Sequence, residues 1–298
     1  MIDILIPTYN RKKDLIKNIY HLNNLIEKEG LEKYFNILVS DNCSSDGSFE
    51  ELQKIKSNLK VNITLFQQNE NIGLEKNAIF LLEKATSDFI MYIGDDDYLP
   101  SEYLSYVIDQ IQKDKNVNVV IPGISALLSD GIVKTRVRLE SFDEKKFKKG
   151  FKTALKTSYL GHQLSGILFR REGLYDKYTK NNNLRNIYPF IFFVAYNALH
   201  GKVCYVPKYR VLISQSNSKD WGYDDSGLLT EIFKNYKIIY PNSVLKRFLL
   251  CQYIMIKQRW RLRIGRNPFF AMKSFIHLLK SKNVDFLIKL LDVRLFRR

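Results

Sequence analysis

The chain has 298 residues, 45% of them hydrophobic and 13% aromatic, with 14 Gly and 7 Pro. This composition excludes a disordered, fibrous or collagen-like protein and allows one large domain or a domain with an appendage. The formal charge of +16 is unevenly spread: residues 245–298 carry fourteen Lys and Arg against Asp285 and Asp292, so +12 of the total lies in that last stretch.

MIDILIPTYN begins as a strand, without the basic stretch and long apolar core of a secretory signal, and gives the expectation of a cytoplasmic protein. Three scattered cysteines, Cys43, Cys204 and Cys251, form neither a metal-type pair nor a disulfide framework and agree with a reducing compartment. Strands are predicted over 2–7, 36–40, 63–67, 89–93 and 117–122, rich in Ile, Val, Leu and Phe and lacking strict polar alternation, as when both faces of a sheet are covered. Between them, 15–29, 49–58, 74–85 and 102–113 space apolar residues as helices do. This β-α succession predicts an α/β fold with a parallel, doubly wound sheet whose ligand site lies at the strands' carboxyl ends.

Beyond Pro122 the alternation weakens. A hairpin around Ser129-Asp130-Gly131, a basic helix over 144–159 and strands over 166–171 and 202–207 are predicted. The apolar run 188–199 is shorter than the roughly 18 to 20 residues of a spanning helix and reads as a buried one. A polar, turn-rich stretch, 215–227, marks the predicted linker. After it come helical stripes: Leu249, Tyr253, Ile256 and Trp260; Met272, Phe275, Ile276 and Leu279; Val284, Leu287, Ile288, Leu291 and Leu295.

Each polar cluster of interest sits at a predicted strand end. YIGDDDYLP (92–100) puts Asp95, Asp96 and Asp97 side by side. One aspartate would serve to cap the next helix, whereas three adjacent carboxylates repel one another unless a cation is near, which suggests a divalent metal on oxygen ligands. Asp41, just inside the end of the second strand, is placed to accept a hydrogen bond from a ribose or a base. Asp46 or Ser44 serves as a helix cap in the bland reading. In NENIGLEKN a turn glycine, Gly73, and a first-turn lysine, Lys76, suit a phosphate, although a surface lysine alone is ordinary.

PTYNR, then the aspartate of VSDNCSSDGS, then NIGLEKN, then YIGDDDYLP, in this order and spacing over the first hundred residues, resemble the GT-A nucleotide-sugar glycosyltransferases of family 2. The resemblance implies a GT-A domain over 1–214, with a nucleotide-sugar half (1–122) and an acceptor half (123–214), followed by the 215–227 linker and a basic helical region, 228–298. It implies that Pro7, Thr8, Tyr9, Asn10, Asp41, Gly73, Lys76, Asp95 and Asp96 bind the donor, and that Asp96 and Asp97 hold Mn²⁺ or Mg²⁺. The activity implied is inverting transfer of a sugar, most readily UDP-linked, to a glycan or lipid-linked acceptor in bacterial surface polysaccharide synthesis.

The chain departs from the family at three places. The commonest form of the acidic motif begins with an acid where Gly94 stands. The family's Glu-Asp pair before the late glycine would fall on Pro189 and Phe190, and its late Arg and His would fall near Ser214 and Ser216. Between Lys145 and Lys219 the acids are Glu172 and Asp176 and the histidines His162 and His200, which leaves Asp176 and His162 as candidates for the base. The missing pair keeps open a catalytically inactive nucleotide-sugar-binding or scaffolding protein. The basic tail suits an anionic membrane surface or packs on the catalytic domain, and no nucleic-acid-binding motif accompanies its charge.

Overall fold

A computed structural model of the protein describes residues 1–136, 143–180, 186, 188–215, 228–258 and 268–280. The first half alternates strand and helix: β1 Ile2–Thr8, α1 Lys12–Lys28, β2 Phe35–Asp41, α2 Ser48–Ile55, β3 Asn62–Gln67, α3 Leu74–Lys84, β4 Phe89–Tyr92 and α4 Tyr103–Lys113. The second half contains β5 Val117–Leu127, β6 Val133–Arg136, β7 Lys145–Phe147, α5 Phe151–Thr157, β8 Leu168–Arg170, α6 Leu174–Thr179, α7 Pro189–His200 and β9 Lys202–Ser214, then α8 Leu228–Ile239, α9 Val244–Lys257 and α10 Pro268–Lys280.

One sheet runs through both halves in the order β3-β2-β1-β4-β8-β5-β9-β7, with β6 on β5. β1 pairs in parallel with β2 and β4, and β2 with β3. β8 is antiparallel to both β4 and β5, so β5 points the same way as β4, and β9 runs parallel to β5. All the long strands therefore end at one edge. Successive side chains of a strand face opposite ways. Accordingly Ile2, Ile4 and Ile6 enter one core with Leu15, Ile19 and Leu104, while Leu5 and Leu38 enter the other with Ala78, Phe192 and Phe193. Both faces are covered, which accounts for the unbroken apolar strands.

The five strands and four helices predicted between residues 2 and 122 form within a few residues of where their sequence placed them, except that β5 runs on to Leu127. The hairpin also forms: Leu127 pairs with Val133, and Asp130 accepts from the Ile132 N–H in the turn. The run 188–199 is the buried helix α7. Three expectations need correction. The basic helix over 144–159 is a strand, β7, followed by the short α5, because Gly150 at φ +136 interrupts the chain and Phe147 pairs with Val203. The strand predicted to stop at Pro207 continues to Ser214 through a bulge: Pro122 pairs with Val206 but Gly123 with Arg210. A Cβ on Gly123 would stand 2.5 Å from the Pro207 carbonyl oxygen, so the bulge packs against a residue without a side chain.

The third correction concerns α9. Its buried face is Leu250, Cys251, Ile254 and Met255, while Leu249 and Ile256 of the predicted stripe are exposed. Both faces of VLKRFLLCQYIMIK are apolar, so spacing alone does not choose between them. On α10 Ala271 and Ser274 are buried and Met272 and Ile276 exposed. Trp260, the stripe from 284 to 295 and nearly all of the 215–227 linker lie outside the described residues.

Candidate active site

The loops after β1 and β2 are bound together. Asn10, at φ +50, donates its backbone N–H to Ser44 Oγ (2.8 Å) and accepts the Ser45 N–H on Oδ1 (2.8 Å). Asp46 accepts the Lys12 N–H at the start of α1 and the Ser48 N–H at the start of α2. Burial would raise the Asp46 carboxyl, but the bonds from Ser48 and Lys12 outweigh it and hold the group below its usual range. Asn10 thus shapes the loop, while Tyr9 beside it is exposed.

Asp41 ends β2 opposite Thr8 of β1 and is fully buried. Its Oδ2 accepts from the Ser44 N–H (3.0 Å), whereas Oδ1 has no hydrogen-bond partner. A buried carboxylate oxygen without a donor is costly to fold unless a donor arrives from outside. The next residue, Asn42, bonds Asn71 and the Ile72 N–H, which draws the loop before α3 onto the end of β2. Gly73 in that loop has φ +85, a conformation that favours glycine, and Lys76 on the first turn of α3 is exposed.

The three adjacent aspartates are held by different partners. Asp95 accepts from the Thr8 hydroxyl (2.8 Å) and Asp96 from the Arg11 guanidinium (3.2 Å). Asp97 accepts from Ser165 Oγ (2.5 Å) on one oxygen and from the Ser214 N–H (3.0 Å) on the other. Its carboxylate fills the space that a Cβ on Gly94 would need, 2.8 Å away, which gives a physical reason for glycine where the common pattern has an acid. Buried Asn18 of α1 holds the loop from beneath, donating to the carbonyls of Gly94 and Asp97. Like-charge repulsion is therefore relieved by two hydroxyls, a guanidinium and a backbone amide, as well as by any cation that binds.

Asp96 and Asp95 offer hard carboxylate oxygens at the strand end. No three His, Cys, Asp or Glu side chains converge in a metal-holding group among the described residues. That donor set fits Mg²⁺ or Mn²⁺, which take one or two protein carboxylates and complete their shell with phosphate and water.

The two base candidates are separated. His162 stands on the site's side of the fold, three residues before Ser165, with Nδ1 on the Tyr159 carbonyl (2.8 Å). Asp176 lies at the opposite edge of the sheet. β8 runs antiparallel, so the chain leaves it beside Asp88, where Arg171 donates to the Asp88 carbonyl, and Asp176 follows on α6 near Tyr196 of the last turn of α7. Pro189 and Phe190 begin α7, and that turn itself contains no carboxylate. Ser165 and Asn18 are functional neighbours that the motif reading missed. Asn18 had a signal, being a polar residue on the Leu15, Ile19 and Leu22 face of α1.

A parallel half-sheet that presents Thr8, Asp41 and an acidic loop at one edge, continued by a mixed half with flanking helices, defines a GT-A fold. Residues 3–176 match the model for "Glycosyl transferase family 2", and the chain belongs to that family. The chain is 32% identical over 105 residues, 35% of its length, to abequosyltransferase RfbV of Salmonella typhimurium, covering 31% of that protein. It is 27% identical over 101 residues, 34% of its length, to the poly(ribitol-phosphate) β-N-acetylglucosaminyltransferase TarS of Staphylococcus aureus, covering 17% of it. It thus spans a third or less of these two curated relatives. The crystal structure of TarS 1-349 with UDP-GlcNAc superposes with a TM-score of 0.71 over 97% of this chain and 83% of that one, at 16% identity. The mannosyltransferase PcManGT of Pyrobaculum calidifontis, in complex with GDP-Man and Mn²⁺, gives 0.57 over 98% and 78%, at 12% identity.

Proposed function

We propose that this chain is a divalent-metal-dependent, inverting glycosyltransferase that moves a sugar from a nucleoside diphosphate, UDP by preference, to a glycan or lipid-linked acceptor in bacterial surface polysaccharide synthesis. The observation that carries the reading is the buried, partnerless Oδ1 of Asp41 at the end of β2, beside Thr8 and Asp95. An imide N–H of uracil supplies the donor that this oxygen lacks. The loop of Gly73 and Lys76 borders the same edge and suits the diphosphate. Asp96, with Asp95 in place of the Asp97 that the motif implies and whose two oxygens are engaged by Ser165 and Ser214, would hold the cation, which when bound neutralises charge on the departing diphosphate. The relatives named for abequose transfer and for poly(ribitol-phosphate) glycosylation support a surface glycan as acceptor.

UDP with Mn²⁺ is expected to raise the thermal midpoint on the order of 5 °C at saturation. Asp41→Ala is expected to erase the preference for UDP over GDP or CDP. No shift with any nucleoside diphosphate would sink the donor site.

One observation favours a second reading, an inactive donor-binding scaffold: α7 begins with Pro189 and Phe190 and carries no carboxylate in its first turn. Donor hydrolysis by the wild type, lost in Asp96→Ala, counts against it.

For location, we read the basic region as a peripheral contact with the anionic, cytoplasmic face of the membrane. No helix among the described residues is long and apolar enough to cross a bilayer. Exposed Leu245, Ile256, Phe269 and Met272 accompany Lys246, Lys257 and Lys273 on α9 and α10, a combination suited to an interface. Vesicles containing phosphatidylglycerol are expected to sediment the protein at low salt and neutral vesicles to leave it in solution. Equal sedimentation with both would remove the membrane reading.

A further inference from the structure

The transfer reading leaves the acceptor without a base, and one buried carboxylate outside the motifs stands in the right quarter of the fold. Glu75 lies on the first turn of α3, directly after the loop that Asn42 ties to the end of β2. Its side chain turns back toward that loop, with Oε2 3.6 Å from where a Cβ of Gly73 would be. The residue is only 8% exposed, and Oε1 has no hydrogen-bond partner.

A second polar group near it is only partly satisfied. Tyr178 of α6 is fully buried, and beyond Asn186, which donates to it, its hydroxyl has no hydrogen-bond partner. Burial pushes its phenol above the ordinary range against the hydrogen bond from Asn186, and the carboxylates of Glu75 and of Glu231 from α8 add to the rise. Ala78, about one turn on from Glu75, accepts from the Tyr92 hydroxyl, and Tyr92 and Tyr178 both pack on Phe193 of α7. Asn186 lies beside the same hydroxyl, accepts the Tyr188 N–H (2.9 Å) and bonds Asn235 of α8, fixing the entry to α7. α7 descends to the far edge, where Gly201 precedes the start of β9, so its first turn lies toward the edge that carries Thr8 and Asp95. Tyr178 therefore packs on Phe192 and Phe193 in the first half of α7, with Glu75 on the neighbouring α3.

A carboxylate that lacks a donor beside a phenol that lacks an acceptor matches one ligand chemistry well, an alcohol hydroxyl, which gives to the first and receives from the second. We propose that Glu75 is the general base of the transfer, taking the proton of the attacking acceptor hydroxyl while Tyr178 hydrogen-bonds that oxygen. In the step the acceptor oxygen bonds to the anomeric carbon, the bond from that carbon to the diphosphate oxygen breaks with its electron pair leaving on the diphosphate, and the hydroxyl proton ends on Glu75, from which it passes to water. The proposal rests on the transfer reading.

The test uses the full chain with Mn²⁺ and a panel of UDP-, GDP-, dTDP- and CDP-sugars, with water as acceptor, following both hydrolysis and the thermal shift given by the free nucleoside diphosphate. Glu75→Gln is expected to keep the nucleotide shift, to lower turnover of the hydrolysed donor by on the order of 10² to 10⁴, and to lose the acidic limb of the pH profile. Glu75→Asp, which keeps a carboxylate one methylene shorter, is expected to recover part of the turnover. Wild-type turnover in Glu75→Gln overturns the proposal. Loss of shift and turnover together in both variants also overturns it, because Glu75 then belongs to the donor seat or the fold. A wild type that binds a nucleoside diphosphate but hydrolyses no donor overturns the transfer reading itself, and this proposal with it.

Discussion

Asp96→Ala is expected to lower donor turnover by about three orders of magnitude and to remove most of the thermal shift produced by UDP with Mn²⁺, while changing the nucleotide-free protein little. Asp96 is buried at the strand end and accepts from the Arg11 guanidinium at 3.2 Å. Arg11 also lies 3.7 Å from Asp14 and keeps a fifth of its side chain in water. Removing Asp96 leaves a cation that is a fifth exposed and still near an acid, so the fold should lose less than it does at a carboxylate with both oxygens engaged. The donor site loses far more, because Asp96 is the carboxylate that both the cation and the diphosphate charge would require. Asp96→Asn separates charge from shape: it keeps an acceptor for Arg11 and is expected to be nearly as inactive. Wild-type shift and turnover in either variant would remove Asp96 from the donor site.

Asp97→Ala has the opposite profile, with stability as the larger effect. Both carboxylate oxygens are engaged, one by Ser165 Oγ and one by the Ser214 N–H, in a residue only 7% exposed. Truncation leaves a backbone amide and a hydroxyl without their acceptor, and hydrogen bonds to a charged group are the costly kind to lose. About 3 kcal/mol is expected, read as a lower urea midpoint with unchanged slope. Ser165→Ala should cost roughly a third of that. If instead Asp97→Ala unfolds like the wild type and loses only the Mn²⁺-dependent part of the UDP shift, then Asp97 acts as the metal ligand that the sequence motif implies.

These two aspartates show where sequence was informative and where it was not. The triplet, its place after β4, and Thr8 and Asp41 at neighbouring strand ends are local facts, fixed by apolar runs that stop at polar clusters, and they could be read directly. The division of labour among the three carboxylates could not. It depends on Arg11, Ser165 and Ser214, which lie 85, 68 and 117 positions away from the aspartates they hold. Gly94 looked like a lost acid and is better understood as the space that the Asp97 side chain occupies. Beyond Pro122 the reading weakened for a related reason. There strands carry a bulge, alternate direction and border helices that are apolar on two faces, so that periodicity loses its meaning. Asp176 attracted attention only as one of two acids in its stretch, and the antiparallel course of β8 carries it to the far edge.

The bond from Asp97 to Ser214 spans 117 positions of chain. Every motif proposed to bind the donor is contained in the first hundred residues, yet the acidic loop gains this anchor only after all of β9 has been made and has passed its bulge. On the ribosome the first half should therefore emerge with its strands paired and its acidic loop still unfastened, and the proposed donor site should become competent only when β9 enters the sheet beside β5. Contact order thus ties the readiness of the amino-terminal motifs to the completion of the second half of the chain.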